Sequence, residues 1–312
     1  MGKLAFIFPG QGSQYPGMGK DIAAQYPEAG EIFAQADAAL GFNLSGICFH
    51  GPEEVLNRTA YTQPAILAVS VACWRVLDAA GIRPDFVAGH SLGEYSALVA
   101  AGAIDFPRAV RLVHYRGQWM DAACPEGRGV MAACLGLEAA EVEAACAASR
   151  RLGVVQPANF NCPGQIIISG HREAVAEAIE KVRELGGKAV YLAVSGPFHS
   201  SLMQPAQEEL ASRLETTPFA SAVIPVVPNV LAYGVTEAAA IREALKAQVT
   251  SAVRWEETVR WLLSQGVEEM VEVGPGKVLS GLAKKVDRRL KVSQVGEAES
   301  IKDLLASYGE GR

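Results

Sequence analysis

The segment Gly89-His90-Ser91-Leu92-Gly93 lies between a short apolar run and a helical pattern, and it constrains the fold more than any other part of the chain. It fits the pattern G-x-S-x-G, in which a serine occupies a sharp strand-to-helix turn with its hydroxyl exposed. The run at 85–88 predicts a buried strand, and residues 94–101 place apolar side chains at helical spacing. The two glycines allow a tight turn and a close approach of strand and helix. This context predicts an α/β fold and makes Ser91 a candidate nucleophile.

Composition narrows the class of protein further. With 312 residues, of which 50% are hydrophobic, the chain can form one large domain or two. The net charge of −6 argues against nucleic acid as the main partner. The apolar runs are too short to span a membrane, and the N-terminal run is too short for a signal peptide. The six cysteines include no C-x-x-C pair, so we expect buried, reduced side chains and no metal site. We therefore expect a cytoplasmic monomer that binds neither nucleic acid nor membrane.

The order of predicted elements divides the chain into two domains. Alternating strands and helices favour a mainly parallel sheet covered by helices. Outside the middle region, we expect strands at 4–8, 85–88, 223–227 and 268–273, and helices at 20–40, 62–80, 92–101, 105–122, 201–215, 238–248, 255–265 and 276–286. The middle region has the β-α-β-β-α-β order of a ferredoxin-like fold, with elements at 129–135, 138–150, 153–159, 165–169, 171–185 and 188–194. The prediction is a hydrolase-like catalytic domain formed by 1–127 and 199–312, with a small ferredoxin-like domain inserted at 128–198.

A nucleophilic serine needs a base, and the chain offers five histidines. His50 lies in a Gly-Pro loop, His114 lies within a helix, and His171 opens a helix, where a capping role is expected. His90 is inside the turn itself, and its side chain should point away from that of the serine. His199 follows an apolar strand and a Ser-Gly-Pro breaker, where the small domain ends and a cleft should form. His199 is therefore the candidate general base.

The third member of an ordinary catalytic triad is missing from the sequence. No aspartate occurs between Asp121 and Asp287, and no glutamate follows a strand in a suitable place. This absence argues against a Ser-His-Asp hydrolase. A backbone carbonyl can orient the imidazole instead, by accepting a hydrogen bond from Nδ1–H.

Three further segments offer binding groups. The loop P-G-Q-G-S-Q at 9–14 lacks the ending of a phosphate loop. Gln11 or its backbone N–H could donate to an oxyanion hole, whereas a plain turn would explain only the glycines. Arg116 is either a solvated helix residue or a bidentate ligand for a carboxylate. The five cations at 284–291 form either a solvated helix face or a docking patch for an acidic partner.

Seven motifs in order cover nearly the whole chain: F-P-G-Q-G-S-Q (8–14), T-Q-P-A (62–65), G-H-S-L-G-E-Y-S-A (89–97), R-G (116–117), N-x-N-x-P-G-Q (159–165), G-P-F-H (196–199) and E-V-G-P-G-K-V-L (272–279). Together they resemble the malonyl-CoA:acyl carrier protein transacylase family of fatty acid synthesis. The resemblance implies an acyltransferase that moves malonyl from malonyl-CoA to the phosphopantetheine thiol of acyl carrier protein. It also implies a malonyl-serine intermediate, ping-pong kinetics and no bound cofactor.

The resemblance implies a role for each matching residue. Ser91 and His199 would form the catalytic dyad, and the backbone carbonyl of Gln248 would orient His199. The backbone N–H groups of Gln11 and Leu92 would form the oxyanion hole. The remaining roles would be binding of the malonyl carboxylate by Arg116, a substrate pocket formed by Gln63, His90, Asn159 and Phe198, and carrier docking by Lys188, Lys284 and Lys285.

Several points stay open at the level of sequence. The segment Thr250-Ser251-Ala252 stands where many family members have a Tyr-Asn-Pro-like run, so the side-chain contacts after Gln248 are undetermined. A thioesterase or esterase could use the same serine, and a carrier-binding module could keep the fold without activity. A discrete acyltransferase serving a polyketide synthase is a further alternative within the family.

Overall fold

The strands of the computed structural model, which describes residues 2–125 and 127–309, form two separate sheets. Nine strands lie within these residues: β1 (Lys3–Phe8), β2 (Phe86–Gly89), β3 (Gly129–Leu135), β4 (Val155–Cys162), β5 (Gln165–His171), β6 (Lys188–Tyr191), β7 (Val226–Val227), β8 (Val267–Val273) and β9 (Lys291–Val295). The larger sheet has the order β7-β2-β1-β8-β9, and each neighbouring pair is parallel. The smaller sheet has the order β4-β5-β3-β6 and is antiparallel.

Helices cover both faces of the larger sheet and one face of the smaller one. The described residues contain fourteen α-helices: α1 (Lys20–Gln25), α2 (Pro27–Leu40), α3 (Leu44–His50), α4 (Glu53–Leu56), α5 (Thr59–Ala79), α6 (Gly93–Ala100), α7 (Phe106–Ala122), α8 (Ala139–Ser149), α9 (Arg172–Glu184), α10 (Gln204–Thr216), α11 (Ala238–Gln248), α12 (Trp255–Ser264), α13 (Val278–Val286) and α14 (Ala298–Gly309). Over residues 2–125 and 127–309, none of them combines the length and the apolar character that crossing a bilayer requires.

The central strands of the larger sheet are buried on both faces, as their nearly continuous apolar sequences require. Phe6 and Phe8 of β1 pack into one hydrophobic core, whereas Ala5 and Ile7 pack into a second core on the opposite face. Phe8 pairs with Gly89, so β1 and β2 end at the same level. The loops that follow these two strands therefore lie side by side at the carboxyl edge of the sheet.

The smaller sheet has the β-α-β-β-α-β order predicted for the middle of the chain. Apolar side chains of its strands pack with those of α8 and α9 in a third core. The mixed α/β fold class, with a mainly parallel sheet and a small antiparallel one, is thus confirmed.

The two sheets meet where β4 contacts the segment after α11. The backbone N–H of Phe160 donates to the Val253 carbonyl at 2.9 Å, and the Val253 N–H donates to the Ala158 carbonyl at 2.8 Å. This contact holds the end of α11 beside β4, close to the carboxyl edge of the larger sheet.

Several predicted boundaries were wrong. The expected helix at 20–40 is two helices, because Tyr26 is extended and Pro27 begins the second. The strand expected at 188–194 ends at Tyr191, where its pairing with β3 ends. The strand expected at 223–227 contains only the two residues that pair with β2. The short helices α3 and α4 were not predicted, and the helix expected from 201 begins at Gln204 after a 3-10 turn.

Gly93 lies directly against β1. A methyl group there would overlap the backbone carbonyl of Phe8. Because backbone atoms cannot move aside easily, Gly93→Ala should lower the free energy of unfolding by about 3 kcal/mol or more. Gly281 in α13 is the matched control, because within residues 2–125 and 127–309 a methyl group there meets no atom within 4 Å beyond its own turn of helix. Gly281→Ala should be neutral or stabilise by about 0.5–1 kcal/mol. Urea unfolding measures both, and a Gly93→Ala protein as stable as the wild type would contradict the packing argument.

Candidate active site

Ser91 is presented on a sharp turn between β2 and α6. Its φ of 50° lies in the left-handed region that a non-glycine residue seldom adopts. The turn is held by Asn229, whose Oδ1 accepts from the Ser91 N–H at 2.7 Å while its Nδ2 donates to the Gly89 carbonyl at 2.6 Å. A side chain at Gly89 would overlap the backbone of Gly93. The glycines thus let strand and helix touch, and the serine hydroxyl lies at the carboxyl edge of the sheet.

His199 reaches Ser91 from the segment that returns from the smaller sheet. Its Nε2 is 2.8 Å from Ser91 Oγ, and the side chain is almost completely buried. Its Nδ1 lies 3.0 Å from the carbonyl oxygens of both Gln248 and Ser251. Because carbonyl oxygens only accept, Nδ1 bears the hydrogen and Nε2 is free to accept the serine proton. The Ser251 carbonyl, in the segment that departs from the family pattern, was not predicted.

The protonation of His199 is set by its surroundings. Burial lowers the pKa of His199 to about 3, and the neighbouring Arg116 and His90 act in the same direction. The two backbone carbonyls oppose this shift without cancelling it. At neutral pH the imidazole is therefore uncharged, as a general base must be.

The low pKa of His199 predicts how acylation depends on pH. Since the pKa of His199 lies far below its ordinary value, the base stays unprotonated as the pH falls. The pH profile of kcat/KM, which reports the free enzyme, should therefore be flat between about pH 5 and about pH 7. Single-turnover acylation of Ser91 by an acyl-CoA measures this profile. An acidic limb with an apparent pKa of about 6.5, the ordinary value for histidine, would contradict the prediction.

Arg116 projects from α7 into the same site and is only 1% exposed, so it is not a solvated helix residue. Its Nη2 donates to Ser91 Oγ at 3.1 Å and to Gln248 Oε1 at 3.0 Å. Its Nη1 donates to Gln63 Oε1 at 2.8 Å. The guanidinium also lies 5.6 Å from the ring centre of Tyr95, within range of a cation–π interaction. A buried cation thus stands directly beside the candidate nucleophile.

A buried carboxylate, Glu94, lies behind this cation and was missed by the sequence analysis. Its Oε2 accepts from the backbone N–H of Asn229 at 2.9 Å and from Nε2 of Gln248 at 2.8 Å. Burial raises the pKa of Glu94 to about 7, although these hydrogen bonds and the charge of Arg116 oppose the shift. One signal in the sequence pointed to it: Glu94 is an acidic residue in a helix that is otherwise apolar or small.

A cavity of about 430 Å³ opens over these groups. It is lined by all the residues predicted for the substrate pocket and the oxyanion hole, namely Gln11, Gln63, His90, Leu92, Asn159 and Phe198. Met120, Met131 and Leu192 add apolar surface. In the described part of the chain, the N–H groups of Gln11 and Leu92 donate no hydrogen bond, which leaves them available for a ligand.

Three of the other histidines make different contacts. His90 turns away from Ser91, and its Nε2 is 3.0 Å from Asn161 Oδ1. His50 ends α3 rather than lying in a loop. His171 precedes α9 at the capping position, but its side chain accepts from the Val154 N–H at 2.9 Å and does not cap the helix.

The six cysteines and the three lysines predicted for docking do not line this cavity. All six cysteines are buried and unpaired in disulfides, as expected for small core residues. Lys188, Lys284 and Lys285 are exposed. Lys285 donates to Gln165 Oε1 of the smaller sheet at 3.2 Å, and Lys284 donates to the Leu290 carbonyl.

Comparison with known proteins agrees with this geometry. Residues 5–303 match the family model described as an acyl transferase domain. The chain is 49% identical to the malonyl CoA-acyl carrier protein transacylase of Bacillus subtilis, with 99% of this chain and 98% of that one covered. It is 48% identical to the transacylase of the same name from Salmonella typhimurium, with 98% and 99% covered.

A solved structure of a related protein has the same fold as this chain. It is a malonyl-transacylase in complex with its type II PKS acyl-carrier protein, and it superposes with a TM-score of 0.95 at 45% identity. The superposition covers 98% of this chain and 99% of that one. The chain belongs to the acyl transferase family, among its malonyl CoA-acyl carrier protein transacylases, and is an acyltransferase.

Proposed function

We propose that this enzyme transfers the malonyl group of malonyl-CoA to the phosphopantetheine thiol of acyl carrier protein, through a malonyl ester of Ser91, and so supplies fatty acid synthesis. The observation that carries the proposal is the buried Arg116 guanidinium, 3.1 Å from Ser91 Oγ. A serine hydrolase for neutral acyl groups has no use for a buried cation at this place. A malonyl thioester carries a carboxylate two bonds from the reacting carbonyl, where such a cation would bind it.

The first half-reaction acylates Ser91. His199 Nε2 accepts the proton of the Ser91 hydroxyl as Oγ attacks the thioester carbonyl of malonyl-CoA. The negative charge that develops on the carbonyl oxygen is stabilised by the N–H groups of Gln11 and Leu92. When the tetrahedral intermediate collapses, the C–S bond breaks and His199 returns the proton to the sulfur of coenzyme A.

The second half-reaction uses the same groups in reverse order. The thiol of the carrier's phosphopantetheine gives its proton to His199 Nε2, and its sulfur attacks the ester carbonyl of malonyl-Ser91. The C–O bond to Oγ then breaks, and His199 returns the proton to Ser91. Because coenzyme A leaves before the carrier reacts, we expect ping-pong kinetics.

The choice of acyl group follows from the charge and size of the cavity. A malonyl carboxylate pairs with Arg116, whereas acetyl leaves the buried guanidinium without an anion, which should disfavour acetyl-CoA by about 3 kcal/mol. Phe198 is buried at the cavity wall, and we propose that its ring limits the room for a branch on the malonyl carbon. We therefore propose that malonyl is preferred over both acetyl and methylmalonyl.

The proposed function also involves two domains and an acidic carrier protein as partner. We propose that residues 1–127 and 199–312 form the catalytic domain and 128–198 the small domain, with the cavity where the two meet. Exposed Lys188, Lys284 and Lys285 carry charge opposite to that of an acidic carrier protein, which supports a steering role in docking. The proposed enzyme works in the cytoplasm as a monomer and needs no bound cofactor.

Intact-protein mass spectrometry after mixing with malonyl-CoA tests the proposed function. We expect a stable malonyl adduct on Ser91 that acyl carrier protein removes much faster than buffer does. Rapid release of free malonate, unaffected by carrier protein, would instead identify a thioesterase. Carrier binding with no adduct would identify a non-catalytic binding module. A higher kcat/KM with a polyketide carrier than with a fatty acid carrier would contradict the assigned pathway.

A further inference from the structure

The side chain of Gln248 links the two buried charges of the site. Its Oε1 accepts from Arg116 Nη2 at 3.0 Å, and its Nε2 donates to Glu94 Oε2 at 2.8 Å. The second hydrogen of Nε2 goes to the Ser91 carbonyl at 3.0 Å. The side chain of Gln248 is fully buried, so water cannot replace any of these partners.

The partners fix which end of the Gln248 amide faces the guanidinium. Arg116 has only donors and must meet the amide oxygen, whereas the carboxyl oxygen of Glu94 accepts and must meet the amide nitrogen. A hydrogen bond to an ionised carboxylate is stronger than one to a backbone carbonyl. The contact of the amide nitrogen with Glu94 is also the shorter of its two, at 2.8 Å against 3.0 Å for the Ser91 carbonyl.

We propose that Glu94 is a positioning residue for acyl-group selection: by holding the Gln248 amide nitrogen, it directs the amide oxygen to Arg116 and fixes the guanidinium beside Ser91. This proposal rests on the carboxylate-binding role of Arg116 given above. The backbone carbonyl of Gln248, which holds His199, is a separate group and does not depend on the orientation of the amide. Loss of Glu94 should therefore affect the choice of acyl group more than the acid–base chemistry.

Glu94 positions the Gln248 amide through one acceptor atom, Oε2. A single oxygen, Oε2, accepts both from Gln248 and from the Asn229 N–H. A glutamine at position 94 can place its own amide oxygen there and keep both bonds. A methionine has a similar size but offers no comparable acceptor, so it leaves one amide hydrogen of Gln248 and the backbone N–H of Asn229 unpaired. These two substitutions separate the acceptor from the volume of the side chain.

The experiment compares four variants with the wild type, using malonyl-CoA and acetyl-CoA in single-turnover acylation. With Glu94→Met, the half-saturating concentration of malonyl-CoA should rise about tenfold while the maximal acylation rate falls less than about threefold, and the malonyl-to-acetyl ratio of kcat/KM should fall about tenfold. Glu94→Gln should restore the ratio to within about twofold of the wild type. Gln248→Met, which keeps the backbone carbonyl, should match Glu94→Met. Ser96→Ala is the matched control on the same helix, because this buried hydroxyl has no hydrogen-bond partner among the described residues.

The outcomes separate this proposal from the one it rests on. An equal loss for both acyl-CoAs in Glu94→Met, or a failure of Glu94→Gln to restore the ratio, would overturn the positioning role. In a double-variant cycle, adding Glu94→Met to Arg116→Ala should leave the ratio of Arg116→Ala unchanged, because Glu94 acts through Arg116. A further fall in the ratio would contradict this. If Arg116→Ala alone kept the wild-type ratio, the carboxylate-binding role itself would fail, and the role of Glu94 with it.

Discussion

Replacing Ser91 with alanine should lower malonyl transfer by about 10⁴-fold or more, the largest loss expected for any single substitution in this enzyme. Ser91 Oγ is the hydroxyl that His199 Nε2 contacts at 2.8 Å, and it is the only one to do so among the described residues. The Ser91→Ala protein should form no malonyl adduct in intact-protein mass spectrometry. A coupled assay that follows malonyl carrier protein should show no transfer above background.

The control for this variant is Ser96→Ala, which removes a buried hydroxyl five residues further along in α6. It should acylate and transfer at rates within about twofold of the wild type, because that hydroxyl makes no hydrogen bond within the described part of the chain. A malonyl adduct that persists in Ser91→Ala, on any other residue, would show that the turn is not the acylation site.

Replacing Arg116 with alanine should lower kcat/KM for malonyl-CoA by about 100-fold to about 1,000-fold, because the carboxylate loses a charged partner that is itself buried. Acetyl-CoA has no carboxylate to lose, so its kcat/KM should fall by less than about tenfold. The malonyl-to-acetyl ratio should therefore approach one. Competition between the two acyl-CoAs for Ser91, followed by mass spectrometry, measures this ratio directly.

Two companion variants make the result specific to Arg116. Arg116→Lys keeps the charge but loses the fork that contacts Gln63 and Gln248 together, so its ratio should lie between those of Arg116→Ala and the wild type. Arg111→Ala, on an exposed face of the same helix, should leave the ratio unchanged. An equal loss of both acyl-CoAs in Arg116→Ala would contradict the carboxylate-binding role.

The sequence made Ser91 and His199 candidates because each left a local signal, and the structure brings the two side chains into contact. Ser91 lies in a glycine-bounded turn after an apolar run, and His199 follows a strand and a breaker near a domain boundary. Arg116 left no such signal by itself, since a helical arginine is usually solvated. Only the resemblance to a family gave Arg116 the role of binding a substrate carboxylate. The structure shows in addition that this side chain of α7 is buried.

The residues that were missed act through contacts distant in sequence. Asn229 holds the turn at Ser91, although the two residues are 138 positions apart in the sequence. Ser251 supplies a carbonyl to His199 from a segment whose side chains do not match the family pattern. Local patterns carry no information about such partners. The errors in the fold have the same origin: β6 and β7 end where their neighbours stop pairing, which is a property of the sheet rather than of their own residues.

The carbonyl groups of Gln248 and Ser251, which accept from His199, affect how an enzyme of this kind can evolve. In a Ser-His-Asp triad, one codon change can delete the group that orients the base. Here that group belongs to the peptide backbone at positions 248 and 251, and every amino acid supplies it. A change of side chain at these positions therefore leaves the carbonyl groups in place, and a substitution of Gln248 that alters the acyl preference would keep the proposed base in its orientation.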